Sequence, residues 1–337
     1  MTERSTVHTR LHRISVVVPV FQGEMTLASL VEEIDAFTKV TTTPDGNQLQ
    51  VIEVLLVNDC GPDRSDEVIG QLADTYSFVR PIWLSRNFGQ HPATLAGMAS
   101  SSGDWIVTLD EDGQHDPANI KDLLDTALRQ GAQVTYAEPS NAAPHGVLRN
   151  VSSRLAKFVF SKLLSGSGHT SFQSYRLIVG EIGRSVAAYS GPGVFLDVAL
   201  GWVAGPPATC SVLLRRGSER PSGYTTRQLF DHFLRLIISS GTRPLRMVSA
   251  LGALFAVAGA GVAAYLVTVH FTSNAIPQGW ISTMIAILLS TGAILFCLGV
   301  IAEYLGAAVS MAMGKPLYLI VSNPKDGPLG QSDSDLS

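Results

Sequence analysis

Cysteine is scarce in this chain. Cys60, Cys210 and Cys297 are the only three, and neither their number nor their spacing suits a disulfide frame or a tetrahedral zinc site. The first 13 residues are polar and lack the apolar core that a secretory signal peptide needs. Basic residues are few at first: residues 1–139 carry 20 acids and 9 bases, whereas residues 140–250 carry 4 acids and 13 bases. The formal net charge of −4 hides this reversal. A nucleic-acid partner fits poorly, because the basic part runs into apolar sequence and the other part is acidic. Charge disappears altogether from residues 248–269 and 281–302, which contain no Asp, Glu, Lys or Arg. Each stretch matches the ~20 residues that cross a bilayer, so two transmembrane helices are predicted. Having no ionisable group, they read as anchors and not as an ion path.

Lys and Arg set the expected orientation. Arg227, Arg235, Arg243 and Arg246 precede the first span, Lys315 and Lys325 follow the second, and the linker between them has none. The positive-inside rule then places the main domain of a multi-pass membrane protein in the cytoplasm. The expected division is an N-terminal extension (1–13), a catalytic domain (14–224), a juxtamembrane amphipathic helix and linker (225–246), a first span (247–270), an external linker (271–280), a second span (281–303) and a C-terminal segment with a disordered tail (304–337). In the first span, Gly252, Ala256, Ala260 and Ala264 form a small-residue stripe that permits close helix contact, within the hairpin or between subunits. Two basic amphipathic stretches, residues 146–164 and 225–239, are candidates for the membrane surface.

What is present in the first half is an alternation. Ile14-Ser-Val-Val-Val-Pro19, Val51 to Val57, Val79 to Leu84, Trp105 to Leu109 and Gln133 to Tyr136 are short apolar runs of the kind that form buried parallel strands. Between them lie stretches with helical spacing: Leu27, Leu30, Val31 and Ile34, then a helix from about Ser65, another from His91 to Ser101 and a fourth from Pro117 to Arg129. The pattern predicts an α/β fold with a doubly wound, mostly parallel sheet.

The functional signal sits at the strand ends. Trp105-Ile-Val-Thr-Leu-Asp110-Glu-Asp112-Gly-Gln114-His-Asp116-Pro117 runs from apolar residues into a knot of carboxylates, where a parallel sheet presents its ligands. Carboxylates so close together repel, and the repulsion is relieved if a cation joins them or one carboxylate takes up a proton; a metal site is the first expectation. Asp59, after the second strand, shares the same crevice. Glu111 is expected to point away into solvent, and His91 and His115 to support the site without acting in it.

With these residues in view, the chain resembles the family 2, GT-A-fold, membrane-anchored polyprenyl-phosphate glycosyltransferases, the group of dolichol-phosphate mannose synthases and bacterial undecaprenyl-phosphate sugar transferases. The resemblance is carried by Leu84-Ser-Arg86-Asn87-Phe-Gly89-Gln90-His91, Ala96-Gly97, Gly103-Asp104 and Leu109-Asp110-Glu-Asp112-Gly-Gln114. Val18-Pro19-Val20-Phe21-Gln-Gly-Glu24, Val57-Asn58-Asp59, Gln173-Ser-Tyr-Arg176-Leu, Ser222-Gly223-Tyr224-Thr225, Arg243-Pro244-Leu245-Arg246, Glu303-Tyr304-Leu-Gly306 and Lys315-Pro316-Leu-Tyr318 agree with it. Phe21-Gln22 stands where Tyr-Asn is usual, and Gly113 replaces a common Leu.

The resemblance implies sugar transfer from a nucleotide sugar to a polyprenyl phosphate by a metal-dependent inverting displacement. It implies catalytic roles for Asp110, Asp112 and Gln114, with Asp112 and Asp110 holding Mg2+ or Mn2+ against the diphosphate. Pro19, Phe21, Glu24, Asp59, Arg86, Asn87, Gly89 and Asp110 would contact the nucleotide. The acceptor phosphate, already ionised, needs no strong general base but does need cations. Arg149, Arg176, Arg216 and Arg220 are the candidates, because guanidinium binds phosphate bidentately. The family also implies a possible homo-oligomer, a tetramer in relatives. Two rival readings are weaker. A processive polysaccharide synthase needs more spans and a Gln-x-x-Arg-Trp motif, and the chain has no Arg-Trp pair. A non-catalytic scaffold or transport subunit would not need Asp110 and Asp112.

Overall fold

The computed structural model describes residues 10–141, 173–191, 194–215, 279–314 and 316–323, with scattered positions from 252 to 268. The chain forms two units, one of residues 1–147, 169–223 and 316–337, the other of residues 148–168 and 224–315.

The first unit is built on a mixed sheet. In chain order its described elements are β1 (Leu11–Val20), α1 (Leu27–Asp35), β2 (Thr41–Thr42), β3 (Gln48–Asn58), α2 (Ser65–Thr75), β4 (Val79–Leu84), α3 (Gln90–Ser100), β5 (Trp105–Thr108), a 3-10 turn (Pro117–Asn119), α4 (Ile120–Gln130), β6 (Val134–Pro139), β7 (Arg176–Val179), α5 (Gly180–Tyr189), α6 (Leu196–Val203), β8 (Ala208–Val212) and β9 (Ile320–Val321). The strands lie in the order β8-β6-β7-β5-β1-β3-β4-β9, with β2 beside β3. β5, β1, β3 and β4 pair in parallel, as do β6 and β8. β7 is inserted antiparallel between β5 and β6.

Burial explains the central strands. Every residue from Ile14 to Val20 is buried, since the sheet is covered on both faces. One core layer gathers Val16, Val18 and Val20 with Leu30 of α1, Ile69 of α2 and Leu123 of α4; the other gathers Val17 with Leu95 of α3, Val186 of α5 and Leu200 of α6. The apolar spacing read in α1 buries Leu27, Leu30, Val31 and Ile34. Gly97 lets α3 lie close on the sheet, because a Cβ there would come within 2.4 Å of Val17 Cγ1. At the opposite edge from the acidic loop, buried Glu53 accepts hydrogen bonds from Ser15 Oγ (2.6 Å), Ser102 N (2.6 Å) and Ser102 Oγ (2.7 Å), and pairs with Arg80. Burial alone would raise its pKa, but these donors prevail and lower it.

In the second unit the described helix is α7, Trp280–Ala312, 33 residues long. Its bounds contain the predicted second span. Some of its side chains lie outside the described residues, and among the described residues no helix is long and apolar enough to cross a membrane. Most of residues 248–269, with much of the small-residue stripe, and the candidate surface stretches 146–164 and 225–239 lie outside the described residues.

Candidate active site

Because β1, β3, β4 and β5 run in parallel, the loops after them open on one edge of the sheet. Asp110 stands just past β5, where its Oδ1 accepts from Gln90 Nε2 (2.6 Å) and its Oδ2 accepts from Ser174 Oγ. Its own N–H donates to His115 Nδ1 (3.2 Å), and buried His115 stacks against Tyr175 with ring centroids 5.0 Å apart. Tyr175 in turn donates its hydroxyl to the carbonyl of Asp116 (2.9 Å). Two segments distant in sequence, at Gln90 and Ser174, thus converge on Asp110 together with His115 of its own loop.

Asp112 begins a tight turn. Gln114 N–H donates to Asp112 Oδ1 (3.0 Å), and Gly113 between them has a φ of +72°, a left-handed conformation that glycine adopts without a Cβ clash. This accounts physically for glycine at that position. Arg215 secures the far side of the loop, donating its N–H to the Gln114 carbonyl (3.0 Å) and pairing with Asp116 (2.9 Å) and with Glu33 of α1 (2.6 Å).

Glu111 does turn away from its neighbours, but it does not enter solvent as expected. Its Oε2 accepts from Phe21 N (2.8 Å) and its Oε1 from Gln22 N (2.9 Å), so it clamps the loop after β1. Asp59 has a related task. It is buried, and its two oxygens accept from Phe88 N (2.7 Å) and Gly89 N (2.8 Å), which holds the turn between β4 and α3. Burial raises its pKa, against the opposing effect of the two amides and of Arg86. Glu24 accepts from Arg64 N (3.2 Å), joining the loops after β1 and β3. Pro19 lies buried in β1, Phe21 is partly exposed, and Arg86 and Asn87 are exposed, with the Arg86 guanidinium 4.2 Å from the centroid of Phe88.

The basic candidates fare differently. Arg176 is buried under the sheet edge, ion-paired with Asp197 and donating its Nε to Thr108 Oγ1 (3.2 Å), while Tyr136 donates to Asp197 Oδ1 (2.9 Å). Its guanidinium serves the protein interior. Arg149, Arg216 and Arg220 lie outside the described residues. Gln90 and Ser174, the two side chains on Asp110, stand inside motifs that sequence reading singled out, yet nothing in the spacing marked them as its partners.

Asp110 and Asp112 offer hard oxygen donors of the kind Mg2+ and Mn2+ take. Among the described residues, no three His, Cys, Asp or Glu side chains converge closely enough to hold a metal ion by themselves. Two carboxylates would leave most of a bound cation's coordination sphere to other ligands.

An α/β sheet with acidic loops at its parallel strand ends serves many enzyme classes, so the class is set by the family of the domain and not by its fold alone. Residues 15–179 match the family model described as Glycosyl transferase family 2, and residues 243–308 match the GtrB C-terminal hairpin. Residues 15–179 thus carry a glycosyl transferase family 2 domain, and the protein is a glycosyltransferase. It is similar to the SfII prophage-derived bactoprenol glucosyl transferase of Shigella flexneri, 25% identical over 94% of this chain and 100% of that one. It is also similar to the undecaprenyl-phosphate 4-deoxy-4-formamido-L-arabinose transferase of Photorhabdus laumondii, 27% identical over 92% of this chain and 94% of that one. Among solved structures it is similar to glucosyl-3-phosphoglycerate synthase from Mycobacterium tuberculosis, 20% identical, with a TM-score of 0.48 over 69% of this chain and 80% of that one.

Proposed function

We propose that this protein transfers a sugar from a nucleotide-sugar donor to a polyprenyl phosphate at the cytoplasmic face of the plasma membrane. The observation that carries the reading is the joining, in one chain, of a family 2 transferase domain to a C-terminal hairpin, together with nearly full-length likeness to relatives named for bactoprenol and undecaprenyl phosphate. The anchor reading has its own support. α7 exposes Ile294, Leu295, Phe296, Leu298, Ile301 and Leu305, each by half or more, and a helix apolar all round is suited to lipid.

In this reading the donor lies along the crevice. Asp112, beside Asp110, would hold a divalent cation, whose chemistry would be electrostatic stabilisation of the diphosphate leaving group. Gln90 and Ser174 keep the Asp110 carboxylate aimed, Glu111 and Asp59 hold the loops that embrace the nucleotide, and the basic residues Arg149, Arg216 and Arg220 receive the acceptor phosphate. The acceptor oxygen is already ionised, so displacement needs no histidine base.

The test is direct. Purified full-length protein with Mg2+ or Mn2+, polyprenyl phosphate and a panel of nucleotide sugars forms a lipid-linked monosaccharide with at least one donor. Asp112→Asn abolishes that product while leaving the fold intact. Full activity of the variant removes Asp112 from the metal role, and no product with any donor overturns the reading.

A further inference from the structure

The segment Pro316-Leu317-Tyr318 and the strand after it have no part in the chemistry above, although they follow closely on α7 in sequence. They return to the sheet. β9 pairs antiparallel with β4, Val321 opposite Trp83 and Ile320 opposite Leu84, and Ser85 N–H donates to the Leu319 carbonyl (3.0 Å). Leu317 and Tyr318 pack against the core layer that holds Ile82 and Leu84, and Phe88 packs against that same layer.

The residue after Ser85 is Arg86, the first of the turn that leads to Gly89. That turn is fixed by Asp59, which accepts from Phe88 N and Gly89 N, and it ends at Gln90, which reaches Asp110 (2.6 Å). Cys60, next to Asp59, donates its thiol to the Leu84 carbonyl (3.0 Å). Without β9, β4 would be an edge strand whose last residues open more readily. The loss would fall where strand gives way to turn.

We propose that residues 317–321 are positioning residues for the donor site, acting through the β4 edge on the turn 86–89 and through Gln90 on Asp110. The effect on catalysis rests on the function proposed above; the effect on the turn does not. Proline cannot donate to a ladder, so Val321→Pro in the full chain is the perturbation and Val321→Ile the conservative control.

Two readouts decide. Amide hydrogen exchange in segment 85–90 should quicken at least tenfold, by order of magnitude, in the proline variant, with β1 and β3 still protected and the control unchanged. With a donor that the wild type accepts, KM for the donor should rise about tenfold, while KM for polyprenyl phosphate stays as it was. Unchanged exchange in 85–90, or faster exchange with an unchanged donor KM, overturns the proposal. If β1 and β3 also lose protection, the milder variant Val321→Gly is judged by the same criteria. A wild type that transfers no sugar defeats the functional reading, and exchange alone then decides this one.

Discussion

Replacing Glu111 with Gln distinguishes two accounts of the acidic loop, one in which Glu111 acts on the substrate and one in which it only shapes the loop. The carboxylate accepts two backbone N–H groups, from Phe21 at 2.8 Å and Gln22 at 2.9 Å. Gln keeps one acceptor oxygen and turns an NH2 toward the other donor. A hydrogen bond to an ionised partner contributes about 1.5–3 kcal/mol, and solvent reaches this pair, so the lower end, about 1.5 kcal/mol, applies. About 1.4 kcal/mol is a factor of ten. Glu111→Gln should therefore raise the donor KM about tenfold by loosening the Phe21–Gln22 loop, with kcat within about threefold. Glu111→Ala, which loses both bonds, should approach a hundredfold, on the order of 3 kcal/mol. The assay is steady-state transfer at saturating polyprenyl phosphate with the nucleotide sugar varied. A fall in kcat of about a thousandfold at constant donor KM would place Glu111 at the reacting atoms and refute the clamp.

Two further outcomes follow from buried charge. Asp197→Ala strands the Arg176 guanidinium, whose side chain is 4% exposed, and should cost about 3–5 kcal/mol. At about 2–4 °C per kcal/mol, Tm falls by about 6 °C or more, read by thermal unfolding in detergent, whereas Asp197→Asn falls less. Glu53 gives a pH signature. Its folded pKa lies below the unfolded value, so its contribution is present above the unfolded pKa of about 4.3 and is lost as pH falls through the folded pKa. Urea midpoints at pH 7 and near pH 3 should show a smaller acid loss for Glu53→Gln than for the wild type.

The parallel half of the fold was legible because its strands are buried on both faces. Val79 to Leu84 reads as β4 to the residue, and β1 and β3 each extend the apolar run by three residues at the N-terminal end and one at the C-terminal end. β7 and β9 were not read as strands. β7 is four residues long, and β9 is two residues long and separated from its partner by most of the chain. At the site, residue types revealed the carboxylate knot, but partners are set by tertiary approach. Nothing local to Glu111 says that its oxygens meet Phe21 and Gln22, nothing local to Asp59 that both its oxygens are taken by amides, and nothing local to Arg176 that Asp197 awaits it. Gly113 is the reverse case. It looked like a departure from pattern, and its left-handed φ shows a local requirement of the turn.

The pairing of β9 with β4 also sets an order of events during synthesis. β4 emerges from the ribosome well before its partner, which follows α7 in the chain. Contacts between distant parts of a chain form late, and until then β4 offers an open edge to other strands. A ribosome that stalls or terminates before residue 320 would release a domain with that edge uncovered. Completion of the sheet is thus a built-in check that the hairpin sequence has been translated.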